Sequence, residues 1–241
     1  MTTNDGEPET GAPYDAELMA ASTDLGAALR DLIEASVVSM VPADEIAAAA
    51  ELVRRATARV GASRRTAAQL PVLDDPATGR RVFNPVVGIG NAIAPPLLVR
   101  REEGGVVAEV TLGVAYEGPP SYVHGGMSAL FMDQLLGSAA GAAGLWGMTA
   151  HLELDYRGPL PLETPLVLRA WVDSNEGRKS VIAGTIALAS APEKPLVEAR
   201  GIFVMPRPEK AQAYFGAITD ASGRHTPPRR PGDATAIDDQ H

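Results

Sequence analysis

The chain contains no cysteine in 241 residues. That excludes disulfides, thiolate metal sites and a cysteine nucleophile, and it leaves redox compartment undetermined. Aromatic residues are scarce at 5%, so the core has to be built from aliphatic and small side chains. Basic residues are in deficit: 21 Lys and Arg stand against 30 Asp and Glu, a net charge of −9. Such a chain lacks the basic face that a phosphate backbone requires, so nucleic acid is not expected as a partner. A small anionic ligand needs only a local basic patch and is not excluded. The N-terminal "MTTNDGEPETGAPYDAE" has no basic n-region followed by an apolar run, so no secretory signal is visible and a cytoplasmic protein is expected.

What is present is ordinary for a soluble globular protein: 45% hydrophobic and 21% charged residues. One apolar stretch, Met127 to Ala150, is long enough to span a bilayer, and "GSAAGAAG" has the small-residue spacing of packed membrane helices. Asp133 and Gln134 interrupt it, and the strand-like "HLELDYRG" follows. No stable membrane insertion is expected.

Composition divides the chain into zones. Residues 1–14 are polar and rich in Gly, Pro and Glu, the signature of disorder. Residues 15–63 form a helical arm: Leu25, Leu29, Leu32 and Ile33 recur on one side, and Pro42-Ala43-Asp44 opens a second helix that stops at Gly61. The two make a hairpin or an arm. Residues 64–94 form a connector. Its Gly88-Ile89-Gly90 lacks a third glycine in register and runs into Pro95-Pro96 instead of a helix, so it is no nucleotide loop. Residues 95–208 then read as strand, strand, helix and four strands, an α+β pattern of antiparallel sheet around one long helix. Residues 216–241 are polar and proline-rich, expected to be disordered.

Between Gly118 and Ala150 the only formal charge is Asp133. Burying a lone carboxylate is costly. Gly125 and Gly126 sit where a helix begins, so their N–H groups are among its unpaired donors, at the positive end of the helix dipole. A donor set that polarises a carbonyl, plus a carboxylate, is what acyl transfer to water needs. Asp133 would lie roughly 10–12 Å along the helix from those donors, too far to act with them on one carbon. A symmetric dimer, with Asp133 of one subunit facing His124-Gly125 of the other, removes the difficulty. Taken singly, a helical Asp is usually solvated and His-Gly-Gly is often a plain turn; the flanks "MSALFM" and "LLGSAAGAAG" leave little polar helix face for Asp133 to occupy.

"Val123-His124-Gly125-Gly126 … Met132-Asp133" resembles the signature of hotdog-fold acyl-CoA thioesterases of the PaaI type. The likeness continues through "Met148-Thr149-Ala150 … Leu154-Asp155-Tyr156-Arg157-Gly158-Pro159" and "Glu176-Gly177-Arg178-Lys179", over about residues 85–206. It implies a hotdog fold, an acyl-CoA substrate, no cofactor beyond the coenzyme A of the substrate, no metal, and a homodimer or homotetramer. It implies that Asp133 is the catalytic carboxylate, as general base or nucleophile, and that Gly125 or Gly126 supplies the oxyanion N–H. His124 would orient substrate or loop, and Thr149 would position the hydrolytic water. Some members of the wider superfamily have a glutamine six residues before the histidine and a glutamate for Asp133. Gly118 and an aspartate stand here, so the match is to the aspartate-bearing branch. Rival readings on the same fold are a non-catalytic acyl-CoA-binding or regulatory module and a hydratase or dehydratase, whose motifs are missing.

Two expectations concern strand faces and turns. Thr149 shares simple alternation with the polar His151, Glu153 and Asp155, which weakens its assignment to the site. Those three could be drawn as a metal triad, but alternation with Leu152, Leu154 and Tyr156 marks a solvated face. Arg157, Arg178 and Lys179 stand beside turns and are the candidates to gather coenzyme A phosphates.

Overall fold

A Glu-Gly turn, with Gly104 at φ 82°, joins two short strands, β1 (Arg100–Glu102) and β2 (Gly105–Thr111). The computed structural model describes residues 15–75 and 78–217. After a single 3-10 turn at Val114–Tyr116 comes one long helix and then four strands: β3 (Met148–Tyr156), β4 (Pro165–Glu176), β5 (Lys179–Leu188) and β6 (Pro195–Val204). The six strands form one sheet in the order β1-β2-β4-β5-β6-β3, with every neighbouring pair antiparallel. On β5 and β4, Ile182, Ile186, Leu166 and Leu168 turn to the core at alternate positions, as a one-sided sheet requires.

The long helix is the third of the chain. Helices α1 (Ala16–Val38) and α2 (Ala43–Val60) precede α3 (Gly125–Ala142), which lies against five strands of the sheet. Its buried residues Ser128, Phe131, Met132, Leu135, Leu136, Ala139 and Ala140 recur at three and four spacing and form one stripe. Leu135 and Leu136 have no solvent exposure. Each such leucine contributes about 1.5–3 kcal/mol relative to leaving it in water. The result is the hotdog fold, a curved antiparallel sheet around one central helix. The apolar stretch Met127–Ala150 is divided between α3 and β3, and no helix among the described residues is long and apolar enough to cross a membrane.

The sheet's two edges differ. Strand β1 has three residues, all exposed and all charged, which blunts it against further pairing. Strand β3 has nine residues and, among the described residues, pairs only with β6. A long edge with unpaired backbone groups is a template for another strand.

Around this core, α1 starts where the Asp15 carboxylate accepts the Leu18 N–H at 3.0 Å. It is docked by Arg30, whose Nη1 donates to the carbonyls of Ile89 and Asn91, both at 3.0 Å. Helix α2 opens after Pro42 and closes at Gly61, has no buried residue, and leaves Ile46, Leu52 and Val60 exposed. It is an arm and not half of a packed hairpin. The described residues of 64–94 hold no helix or strand, yet Leu73, Val82, Val86 and Ala94 are buried, so this connector is packed into the core's flank. A further helix, α4 (Pro208–Phe215), was not apparent from the sequence; Phe215 sets its ring edge on Trp146 at 5.8 Å. The disorder expected of residues 1–14 and 216–241 falls outside the described residues, apart from Gly216 and Ala217.

Candidate active site

The site is organised by the first turn of α3. His124 caps it in extended conformation, and its Nδ1 accepts the Gly126 N–H at 3.0 Å. This bond narrows the choice between the two glycines: the Gly126 N–H is occupied by His124. The Gly125 N–H, first of the helix and without an intrahelical acceptor, is the donor left for an incoming oxygen. The Gly125 carbonyl accepts from the Tyr156 hydroxyl at 2.8 Å, tying the turn to the far end of β3. The backbone is pinned upstream too, with the Val123 N–H on Leu160 O and the His124 N–H on Tyr116 O, both at 2.9 Å. Gly118 leaves no room for a side chain: a Cβ there would lie 2.7 Å from the His124 Cα.

Asp133 is eight residues beyond Gly125, which puts it roughly 12 Å further along the helix. It is half-buried, and its Oδ1 accepts from the Thr149 hydroxyl at 2.8 Å. Simple alternation put Thr149 on the polar face with His151. A bulge corrects this: Thr149 pairs with Phe203 and His151 with Ile202, so Ala150 is an extra residue in β3. The bulge reverses parity, turning Thr149 to the helix side with Leu152 and Leu154. His151, Glu153 and Asp155 stay exposed on the other face, and the described residues contain no group of three His, Cys, Asp or Glu able to hold a metal ion.

The basic candidates separate. Lys179 is in register with Val204 and, through it, with Met148, so Arg178 and Lys179 sit at the Thr149 end of the sheet. Arg178 Nη1 donates to Met205 O at 2.8 Å. Arg157 follows Tyr156 at the opposite end and is held by Glu198 at 2.7 Å and Asp155 at 3.1 Å. The Glu198 hydrogen bond, then the charges of Asp155 and Glu198, raise its already high pKa. One protomer therefore does not converge all three cations. Two clefts of about 250 and 280 Å³ flank the connector and α1, and neither is lined by Asp133 or Gly125.

Reading the sequence missed four supporting residues. Gln134 Oε1 accepts from Asn84 Nδ2 at 2.9 Å, fastening the connector to α3 beside Asp133. Tyr156 and Tyr116 secure the Gly125 turn from two sides. Gln134 carried a local signal as the second polar residue of an apolar run, and Tyr156 stood in the family-like 154–159 stretch with no role attached.

The thioesterase superfamily model matches residues 121–187, the stretch from the α3 cap through most of β5. Acyl-coenzyme A thioesterase THEM4 of Mus musculus is 37% identical over 99 residues, which is 41% of this chain and 42% of that protein. The Xenopus laevis protein of the same name is 44% identical over 69 residues, 28% of this chain and 30% of its own length. The match thus spans less than half of these relatives. A thioesterase superfamily protein of known crystal structure is 34% identical, with TM-score 0.66, over 80% of this chain and 94% of its own. With near-complete coverage of that relative, and with the signature residues gathered on α3 and β3, this chain belongs to the thioesterase superfamily.

Proposed function

We propose that the protein hydrolyses an acyl-CoA to the free acid and coenzyme A. The observation that carries this reading is the Asp133 carboxylate held on α3 by the Thr149 hydroxyl at 2.8 Å. That bond engages Oδ1 and leaves Oδ2 to meet water or the thioester. As general base, Asp133 takes a proton from water while the water oxygen attacks the thioester carbon. The carbonyl oxygen gathers negative charge and is met by the Gly125 N–H at the positive end of α3. Collapse expels the coenzyme A thiolate, which takes the proton. Direct attack by the carboxylate uses the same groups and then needs water to release the anhydride. No step draws on a metal or redox cofactor.

The 12 Å between Gly125 and Asp133 is answered by a homo-oligomer. Antiparallel pairing of two β3 edges about a two-fold axis sets the Thr149 end of one strand beside the Tyr156 end of the other. Since Tyr156 holds Gly125 and Thr149 holds Asp133, each site then combines Asp133 of one copy with Gly125 of the second. The same pairing brings Arg157 of one copy toward Arg178 and Lys179 of the other, where coenzyme A phosphates would be gathered. Continuous thiol detection across a panel of acyl-CoAs tests the activity. Release of one thiol per acid supports it; binding of acyl-CoA without release sinks it in favour of a non-catalytic module.

A further inference from the structure

The N-terminal helix α1 is joined to the candidate site by a short run of hydrogen bonds. Glu34 reaches across 80 residues of sequence, and its Oε1 and Oε2 accept the N–H groups of Val114 at 2.9 Å and Ala115 at 3.0 Å. These are the opening donors of the 3-10 turn Val114–Tyr116, groups that otherwise lack a backbone partner. The turn ends at Tyr116, whose carbonyl accepts the His124 N–H at 2.9 Å, one residue before Gly125. The Tyr116 ring lies edge-on to Phe131 of α3, centroids 6.0 Å apart. Its hydroxyl donates to Ile93 O at 3.3 Å, on the loop whose Ile89 and Asn91 carbonyls are held by Arg30 of α1. Tyr116 is thereby linked to α1 by two indirect routes, through the Val114 and Ala115 amides held by Glu34 and through the 89–93 loop held by Arg30.

Gly113 makes the carboxylate's cradle: a Cβ there would meet Glu34 Oε1 at 2.4 Å. Any other residue at 113 displaces the carboxylate. None of Glu34, Gly113 and Tyr116 falls in the 121–187 stretch that matches the family model. A bare tether for α1 would need neither two consecutive backbone amides nor a direct continuation into the cap of α3.

We infer that α1 is a working part of the thioester site, with Glu34 a positioning residue that sets the His124–Gly125 turn through the Val114–Tyr116 turn. This rests on the acyl-CoA thioesterase reading. With the clamp intact the Gly125 N–H points where the developing oxyanion forms; without it the turn loosens. Displacement of an oxyanion donor acts on the transition state, so it lowers kcat more than it raises KM.

The test uses the full chain with Glu34→Ala, Glu34→Gln and Gly113→Ala, and Asp24→Asn as a control on the exposed side of α1. Glu34→Ala is expected to lower kcat about tenfold with KM changed less than about twofold. Glu34→Gln, which keeps one acceptor oxygen, falls between it and wild type and covers the case in which the alanine variant does not fold. Gly113→Ala gives the same split, and combining it with Glu34→Ala adds no further loss. Amide exchange at His124 is followed in each protein, because that N–H reports the bond to Tyr116 without any assay of activity. Faster His124 exchange in the Glu34 variants, with Asp24→Asn unchanged, supports the coupling. Unchanged exchange, or an unaltered kcat in a folded Glu34 variant, overturns it. Should the wild type release thiol from no acyl-CoA, the thioesterase reading fails on its own and His124 exchange alone decides the coupling.

Discussion

Thr149 Oγ1 lies 2.8 Å from Asp133 Oδ1, although the two residues belong to different elements and Thr149 shares its sequence parity with the solvent-facing His151, Glu153 and Asp155. The bond exists because β3 takes an extra residue at Ala150, which turns Thr149 to the helix. A bulge of this kind re-aims one side chain while the rest of the sheet keeps its pairing.

Thr149→Val keeps the β-branched shape and removes the donor. With Asp133 no longer steered, kcat is expected to fall roughly tenfold or more, the scale of one hydrogen bond to a charged group. Steady-state kinetics and a melting curve check this. A valine variant with wild-type kcat would reduce the Thr149 hydroxyl to a structural contact.

Asp133→Asn nearly preserves volume and can still accept from Thr149. Loss of a positioned general base typically costs about 10²–10⁴-fold, so kcat should drop by at least about 100-fold. The melting temperature should equal or exceed that of wild type, since a site carboxylate held in an apolar setting tends to cost stability. Full activity in this variant would end the assignment of Asp133.

If the site is shared between copies, two inactive variants should complement each other. Gly125→Val crowds the donor turn against the Tyr156 ring, whose Cε1 and Oη lie 3.4 Å from a Cβ built there. Mixing it with Asp133→Asn and allowing subunits to exchange produces mixed dimers with one intact site, so a random mixture recovers about a quarter of wild-type activity. Mixtures that stay inactive while sedimentation shows exchanged dimers, or a fully active monomer, would contradict the shared site.

A pH dependence of stability follows from Asp74. Its side chain is 4% exposed beside Arg81 at 3.2 Å. Burial pushes its carboxyl above the ordinary carboxylate range, against the opposing pull of the Arg81 charge and of backbone N–H groups. The folded chain then keeps a proton at pH values where the unfolded chain has lost it. Its contribution is fully present below the ordinary carboxylate range and is lost as pH rises through the raised value. The melting temperature of wild type minus that of Asp74→Asn should therefore be largest in acid, decline with rising pH and then level off. A difference that grows with pH would reverse the sign.

Much of this protein is local and was legible in the sequence. The α2 boundaries follow from Pro42 and Gly61, and the β1–β2 turn from Glu103-Gly104, because backbone conformation there depends on neighbouring residues. The same holds for His124 and Gly125 at the cap of α3, and for Asp133 as the lone charge of its helix. What needed the tertiary structure is what depends on residues distant in sequence. The bulge at Ala150 is a matter of register against β6, which alternation within β3 cannot reveal. That the Gly126 N–H, and not the Gly125 N–H, is taken by the His124 ring is a side-chain orientation that spacing does not encode. The opposite placement of Arg157 and Lys179 is set by strand order, and the clamp of Glu34 on Val114 and Ala115 spans 80 residues. Periodicity reports which face a residue shares with its neighbours; only the folded chain decides which distant groups meet, because that is settled by packing.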